Sequence, residues 1–169
     1  MTAVQWGGDA TDIPAIGDFD NDCKTDIAVR RTTNAPATGD TQFFILQSGG
    51  GATSVRWGKN TMQMAIGDYN GDGRSDIGVV DASGAPSLLR WYVIGTSNNV
   101  LVNGVQFGQM GDVVTTGDYD GDGRADLSVF RAGSGVFFHR TVSSATEFGF
   151  QFGANGDIPV VRSNQYPLP

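Results

Sequence analysis

The chain has 169 residues and a mass of 17.8 kDa, with 25 glycines, 17% charged residues and a formal charge of −7. That describes one turn-rich domain, too acidic for an electrostatic grip on nucleic acid or anionic membrane, and with no apolar stretch near the ~20 residues of a membrane-spanning helix. The single Cys23 excludes an internal disulfide and a cysteine-based zinc site, the single His139 argues against histidine-based catalysis, and no signal-peptide pattern is read at Met1.

Short apolar runs separated by Gly, Asn, Ser and Asp predict strands, because their periodicity is two rather than 3.6. In chain order, residues 3–6 are expected as a lone strand. A first set of four follows at Ile13–Ile16, Ile27–Arg31, Gln42–Leu46 and Ser54–Trp57. A second set is expected at Ala65–Ile66, Ile77–Val80, Trp91–Ile94 and Val100–Phe107, and a third at Val113–Thr116, Leu127–Phe130, Val136–His139 and Phe148–Phe152. Residues 157–162 read as one further strand. No segment carries a helical apolar stripe, so the fold class is all-β.

The three sets are copies of one unit. Asp18, Asp68 and Asp118 are spaced by 50 residues, and the columns Phe19/Tyr69/Tyr119, Asp26/Asp76/Asp126, Ile27/Ile77/Leu127 and Val29/Val79/Val129 keep the same period. Trp6-Gly7, Trp57-Gly58, Phe107-Gly108 and Phe152-Gly153 form a further column. Four short strands per fifty residues is the rhythm of β-propeller blades. Residues 1–169 are read as one propeller domain or half-propeller, with units at about 7–57, 58–107 and 108–152. Three blades fall short of the four to eight that close a ring, so the chain is expected to be a homo-oligomer or part of a larger propeller.

Of the 18 acidic residues all but Glu147 are Asp, and they crowd into GDFDNDCKTD, GDYNGDGRSD and GDYDGDGRAD. Carboxylates at positions 1, 3, 5 and 9 of a curled loop converge on one point, the carbonyl of position 7 adds an oxygen, and glycine at position 6 permits the turn. An all-oxygen set of this kind suits Ca²⁺ better than Mg²⁺. The expected ligands are Asp18, Asp20, Asp22, Asp26 and the Lys24 carbonyl in loop one. In loop two they are Asp68, Asn70, Asp72, Asp76 and the Arg74 carbonyl, and in loop three Asp118, Asp120, Asp122, Asp126 and the Arg124 carbonyl. Three ions are expected. Cys23 replaces the glycine of loop one, which predicts a distorted or weaker site there.

Blocks such as FGQMGDVVTTGDYDGDGRADLSVFR at 107–131 resemble FG-GAP/VCBS repeats of integrin-α-like seven-bladed β-propellers, and the likeness runs over essentially the whole chain. The resemblance implies calcium in the loop joining the first two strands of each blade. It also implies a secreted or cell-surface binding module, since the family includes lectins and the ligand-binding heads of adhesion receptors.

No nucleophile elbow and no phosphate-cradling glycine loop is present, so the chain is expected to be non-enzymatic. Its partner is expected to be a carbohydrate or a surface protein. Adjacent aromatic pairs occur at Phe43-Phe44, Trp91-Tyr92 and Phe137-Phe138. Neighbours on a strand face opposite ways, leaving one ring of each pair free to stack on a sugar; Arg90, Trp91 and Tyr92 are the suspected ligand contacts. Trp6, Trp57, Phe107 and Phe152 are expected to pack between blades, His139 to be an exposed or satisfied strand residue, and Arg30, Arg31 and Arg131 to pair with rim Asp. Two other readings are a structural repeat of a cell-surface assembly and an accessory domain of a secreted hydrolase.

Overall fold

The structure, a computed structural model, describes residues 4–33, 39–84 and 87–160. Among them there is no helix; twelve strands form three four-stranded antiparallel sheets, each in simple sequence order. Sheet one contains β1 (Ile13–Gly17), β2 (Asp26–Thr32), β3 (Asp40–Leu46) and β4 (Ala52–Lys59). Sheet two contains β5 (Gln63–Gly67), β6 (Asp76–Asp81), β7 (Leu88–Ile94) and β8 (Val100–Gln109). Sheet three contains β9 (Val113–Val114), β10 (Leu127–Arg131), β11 (Val136–Arg140) and β12 (Glu147–Gln151). These are propeller-like blades in an open array.

The repeat keeps one register across the first three strands of each sheet, while the third and fourth strands pair with one register shift in sheet one and three in sheet two. Ile16 faces Ile27 across β1–β2, and Ile66 faces Ile77 across β5–β6. The apolar sides stack into two cores. One lies between sheets one and two and includes Phe19, Phe43, Ile45, Met64, Ile77 and Val79. The other lies between sheets two and three and includes Tyr69, Leu89, Trp91, Phe107, Leu127 and Val129. Sheet two feeds both, so adjacent residues point opposite ways: Val79 into the first core, Val80 into the second.

The aromatic-Gly column explains how one blade meets the next. Trp6 Nε1 donates to the Phe44 carbonyl at 3.2 Å, and Trp57 Nε1 donates to the equivalent Tyr92 carbonyl at 3.4 Å. The glycine that follows has positive φ, 76° at Gly58 and 85° at Gly108. A Cβ there would meet Val79 at 2.9 Å or Val129 at 3.0 Å in the next sheet, so only glycine lets the backbones approach. Phe107 is buried as expected, but Phe152 is 80% exposed, with no further sheet packed on it among the described residues.

The terminal strands need correction. Residues 4–6 of the expected strand 3–6 are not in a strand, and residue 3 lies outside the described residues; Trp6 is held by one side-chain bond, with no strand laddered to it among the described residues. Residues 157–160 of the expected strand 157–162 are likewise not in a strand, and 161–162 lie outside the described residues. The strand expected at Val113–Thr116 shrinks to Val113–Val114, with a single bridge between Gly117 and Asp126 beyond it. Arg31 and Arg131 form two-pronged ion pairs with Asp12 and Asp112, the shortest contacts being 2.7 and 3.0 Å. Arg30 departs from its expected Asp partner: it is buried and donates to the Met62 carbonyl at 2.6 Å.

Candidate metal sites

Each Asp-rich segment connects the first two strands of a sheet, and the three loops share one hydrogen-bond pattern. The first Asp binds the turn's backbone with both oxygens: Oδ1 accepts from the amide of position 4 at 2.7 Å in every loop, from Asn21, Gly71 and Gly121. Oδ2 accepts from the amide of position 6 at 2.7 to 2.9 Å, from Cys23, Gly73 and Gly123. The position-5 carboxylates Asp22, Asp72 and Asp122 accept the amides of Lys24, Arg74 and Arg124 at 2.9 Å, which anchors the position-7 residue by the peptide that precedes it. Position 9 is buried at the start of the second strand, and Asp26, Asp76 and Asp126 accept the amides of Phe19, Tyr69 and Tyr119 at 2.8, 3.0 and 2.9 Å.

Loop one keeps this shape despite lacking glycine. Asn21 and Cys23 both stand at φ 64°, where loops two and three have glycine at 78–84°. Left-handed backbone at a non-glycine residue costs about 1–2 kcal/mol, so loop one stores strain without losing the arrangement. The exposed Cys23 side chain stands outside the ligand set.

The hydrogen bonds leave oxygens over. Carboxylate oxygens of Asp18, Asp20 and Asp22 lie within 4.8 Å of one another, as do those of Asp118, Asp120 and Asp126. Asp20 Oδ1 and Asp76 Oδ1 are buried without a hydrogen bond, a costly state for a carboxylate oxygen. Burial, reinforced by the charges of Asp72 and Asp68, pushes Asp76 up to about 6, and burial also raises Asp126. Converging, partly desolvated carboxylates with spare lone pairs fit a hard divalent cation.

Sequence reasoning missed the turn between the third and fourth strands, which reaches back to the loop. Ser48 donates through Oγ to Asp22 at 2.8 Å and through its amide to Asp26 at 2.7 Å, and Ser143 Oγ donates to Asp122 at 3.2 Å. The signal was there: Ser48, Thr96 and Ser143 recur about one unit apart.

The suspected ligand residues do not converge. Trp91 is fully buried, with Nε1 donating to the Phe107 carbonyl at 2.8 Å, so its ring has no face for a sugar. Tyr92 points the other way and is half-buried; it lines a cleft of about 390 Å³ between sheets one and two, with Trp57, Arg56, Thr41 and the Lys59–Asp40 ion pair. Arg90 stands opposite Asp81 across β6–β7 and does not line this cleft. His139 is a satisfied core residue: it is 1% exposed, with Nδ1 2.9 Å from Ser128 Oγ and its ring against Tyr119.

The FG-GAP-like repeat family model matches the chain twice, over residues 18–79 and 68–129, about two thirds of its length. Neither the search of curated proteins nor that of solved structures returned a match. Among the described residues no helix is long and apolar enough to cross a membrane.

Proposed function

We propose that the chain, which belongs to the FG-GAP-like repeat family, is a non-enzymatic calcium-binding recognition module acting outside the cell or at its surface. The observation that carries the reading is the threefold loop, whose carboxylates converge within 4.8 Å in loops one and three and keep buried oxygens unbonded at Asp20 and Asp76. Asp18, Asp20, Asp22 and Asp26 would hold one ion, Asp68, Asn70, Asp72 and Asp76 a second, and Asp118, Asp120, Asp122 and Asp126 a third, each with the carbonyl of Lys24, Arg74 or Arg124. Bound calcium would supply charge neutralisation to carboxylates that otherwise repel. Extracellular calcium modules bind at about 0.1–1 mM, which suits exposed loops of this kind.

Carbohydrate is the partner class favoured here over a surface protein. The cleft between sheets one and two supports it, since the half-buried rings of Tyr92 and Trp57 stand beside Arg56, Thr41 and the Lys59–Asp40 pair. A sugar needs an apolar ring for its C–H face and fixed polar groups for its hydroxyls.

Calorimetric titration of calcium into chelated protein tests the metal reading: three sites are expected, falling to two in Asp118→Asn, and no heat with an unchanged melt would overturn it. A glycan array on calcium-loaded protein tests the partner. Binding that is lost in Tyr92→Ala and kept in Arg90→Ala supports the cleft; a blank array from folded, calcium-bound protein moves the assignment to protein contact.

A further inference from the structure

Neighbouring Asp-rich loops touch, and the contact is made by the residues that shape the ligand sets. The Ser75 amide in loop two donates to the Asp18 carbonyl in loop one at 2.6 Å, and the Ala125 amide in loop three donates to the Asp68 carbonyl in loop two at 2.6 Å. Ser75 and Ala125 follow Arg74 and Arg124, whose carbonyls complete the expected ligand sets of loops two and three. In a trans peptide the N–H and C=O point opposite ways. One peptide group therefore turns its carbonyl away from the preceding loop while its amide holds that loop's first aspartate. Loop one is built on that aspartate, since the Asp18 carboxylate accepts the amides of Asn21 and Cys23 at 2.7 and 2.8 Å.

The joint between loops one and two carries two further bonds. The Asp18 amide donates to Ser75 Oγ at 3.1 Å, and Asn21 Nδ2 donates to the Asp72 carbonyl at 3.3 Å. Neither has a counterpart between loops two and three, where Ala125 has no hydroxyl and Gly71 stands in the place of Asn21. Gly73 makes room for the Asn21 side chain: a Cβ there would lie 2.6 Å from Asn21 Oδ1. Asn21 holds a left-handed φ of 64° where the other loops use glycine, and in return it ties loop one to loop two.

We propose that calcium binding at loops one and two is positively coupled, with occupancy of loop two strengthening loop one through Ser75 and Asn21. Such coupling presupposes the calcium binding proposed above. Without an ion the carboxylates of loop two repel one another, which loosens the turn that carries Asp72 and the Arg74–Ser75 peptide. Asp68, Asp72, Asp76 and the Arg74 carbonyl, once drawn onto an ion, fix that turn and that peptide. A carbonyl polarised by a cation also makes the amide of the same peptide a stronger donor. Both effects favour the arrangement of Asp18 and Asn21 that shapes loop one, and by linkage loop one strengthens loop two by the same factor. The additional bonds make the coupling stronger across this joint than between loops two and three.

The amide resonances of Cys23, Gly73 and Gly123, one per loop, provide the test when calcium is titrated into the chelated full chain at fixed ionic strength. All three are expected to shift in the wild type. Asp72→Asn leaves loop two with Asp68 and Asp76 as its only carboxylates, while its remaining oxygen can still accept the Arg74 amide. The Gly73 midpoint should then move beyond the range in which loop one fills. The Cys23 midpoint is expected to follow by about fivefold or more, and that of Gly123 by less. Asn21→Gly with Ser75→Ala gives the first joint the composition of the second and keeps every carboxylate. Added to this pair, Asp72→Asn should move the Cys23 midpoint no further than it moves that of Gly123; circular dichroism checks that each variant is folded. Resonances that ignore calcium altogether would overturn the metal reading and the coupling with it. Calcium-responsive resonances with a Cys23 midpoint unmoved by Asp72→Asn would overturn the coupling alone. So would a rise that survives the paired substitution undiminished, because it would then be carboxylate charge acting through space.

Discussion

His139 makes the stability of this protein depend on pH in a way that can be isolated. The residue occupies the place held by Ile45 in sheet one and Val93 in sheet two, opposite Ser128 as they are opposite Ala28 and Gly78. Burial among Tyr119, Phe148 and Phe150 lowers it from 6.5 to about 4. The folded state therefore resists a proton that the unfolded state accepts between these values. The penalty is absent above pH 6.5, grows as the pH falls through that value, and levels off below about 4 at roughly 3 kcal/mol. Asp76, pushed up to about 6, titrates in the same window with the opposite sign: its folded form keeps a proton that the unfolded form has lost, so stability falls as pH rises from 3.8 through 6. It is present in wild type and in His139→Leu alike and cancels in their difference. Leu leaves the Ser128 hydroxyl without its partner, a constant offset of about 1 kcal/mol. Urea midpoints in chelator are to be compared at about pH 7.5 and 4.5. The gap between the two proteins should move by roughly 2.5 kcal/mol in favour of Leu at the lower pH, about 1 M urea or more. A gap of the same size at both pH values would refute the buried, neutral histidine.

Three further outcomes are expected. Gly67→Ala should destabilise by about 1–3 kcal/mol, since its new methyl meets Ala125 Cβ at 2.7 Å and Thr116 Cγ2 at 3.0 Å; a wild-type thermal melt would contradict that packing. Trp91→Phe removes the donor to the Phe107 carbonyl and leaves a void, lowering stability by about 2–4 kcal/mol with no change in ligand affinity, as urea titration and a binding assay run side by side would establish. Chelation of a calcium-saturated sample should cost about 1.4 kcal/mol per site at ~1 mM calcium and a ~0.1 mM dissociation constant, or roughly 10 °C over three sites; scanning calorimetry reads this directly.

The sheets and loops were legible because each is written three times. A single DFDNDCKTD could be a turn, but the same spacing at Asp18, Asp68 and Asp118 pins a loop and the strands on either side of it. Orientation was less accessible. Alternation along β7 says that Trp91 and Tyr92 face opposite ways, yet it does not say which faces the second core, and that choice depends on which sheet lies on each side. The ends misled for a related reason. Residues 4–6 and 157–160 have strand-like composition, but a strand is completed by hydrogen bonds from a neighbour, and among the described residues none pairs with either segment. Ser48 and Ser143 went unread because their partners are 26 and 21 residues away.

The division of the apolar interior into two separate layers, one on each side of sheet two, bears on how such a chain changes length. Every buried side chain of a layer answers only to the two sheets that enclose it, so energies add pairwise along the series. Duplication of a fifty-residue unit inserts one layer and leaves each retained contact as it was; deletion of a terminal unit removes one layer and nothing more. Gene-level gain or loss of a repeat is thus nearly silent to the rest of the molecule, provided that the aromatic-Gly pair and the loop amide arrive with it.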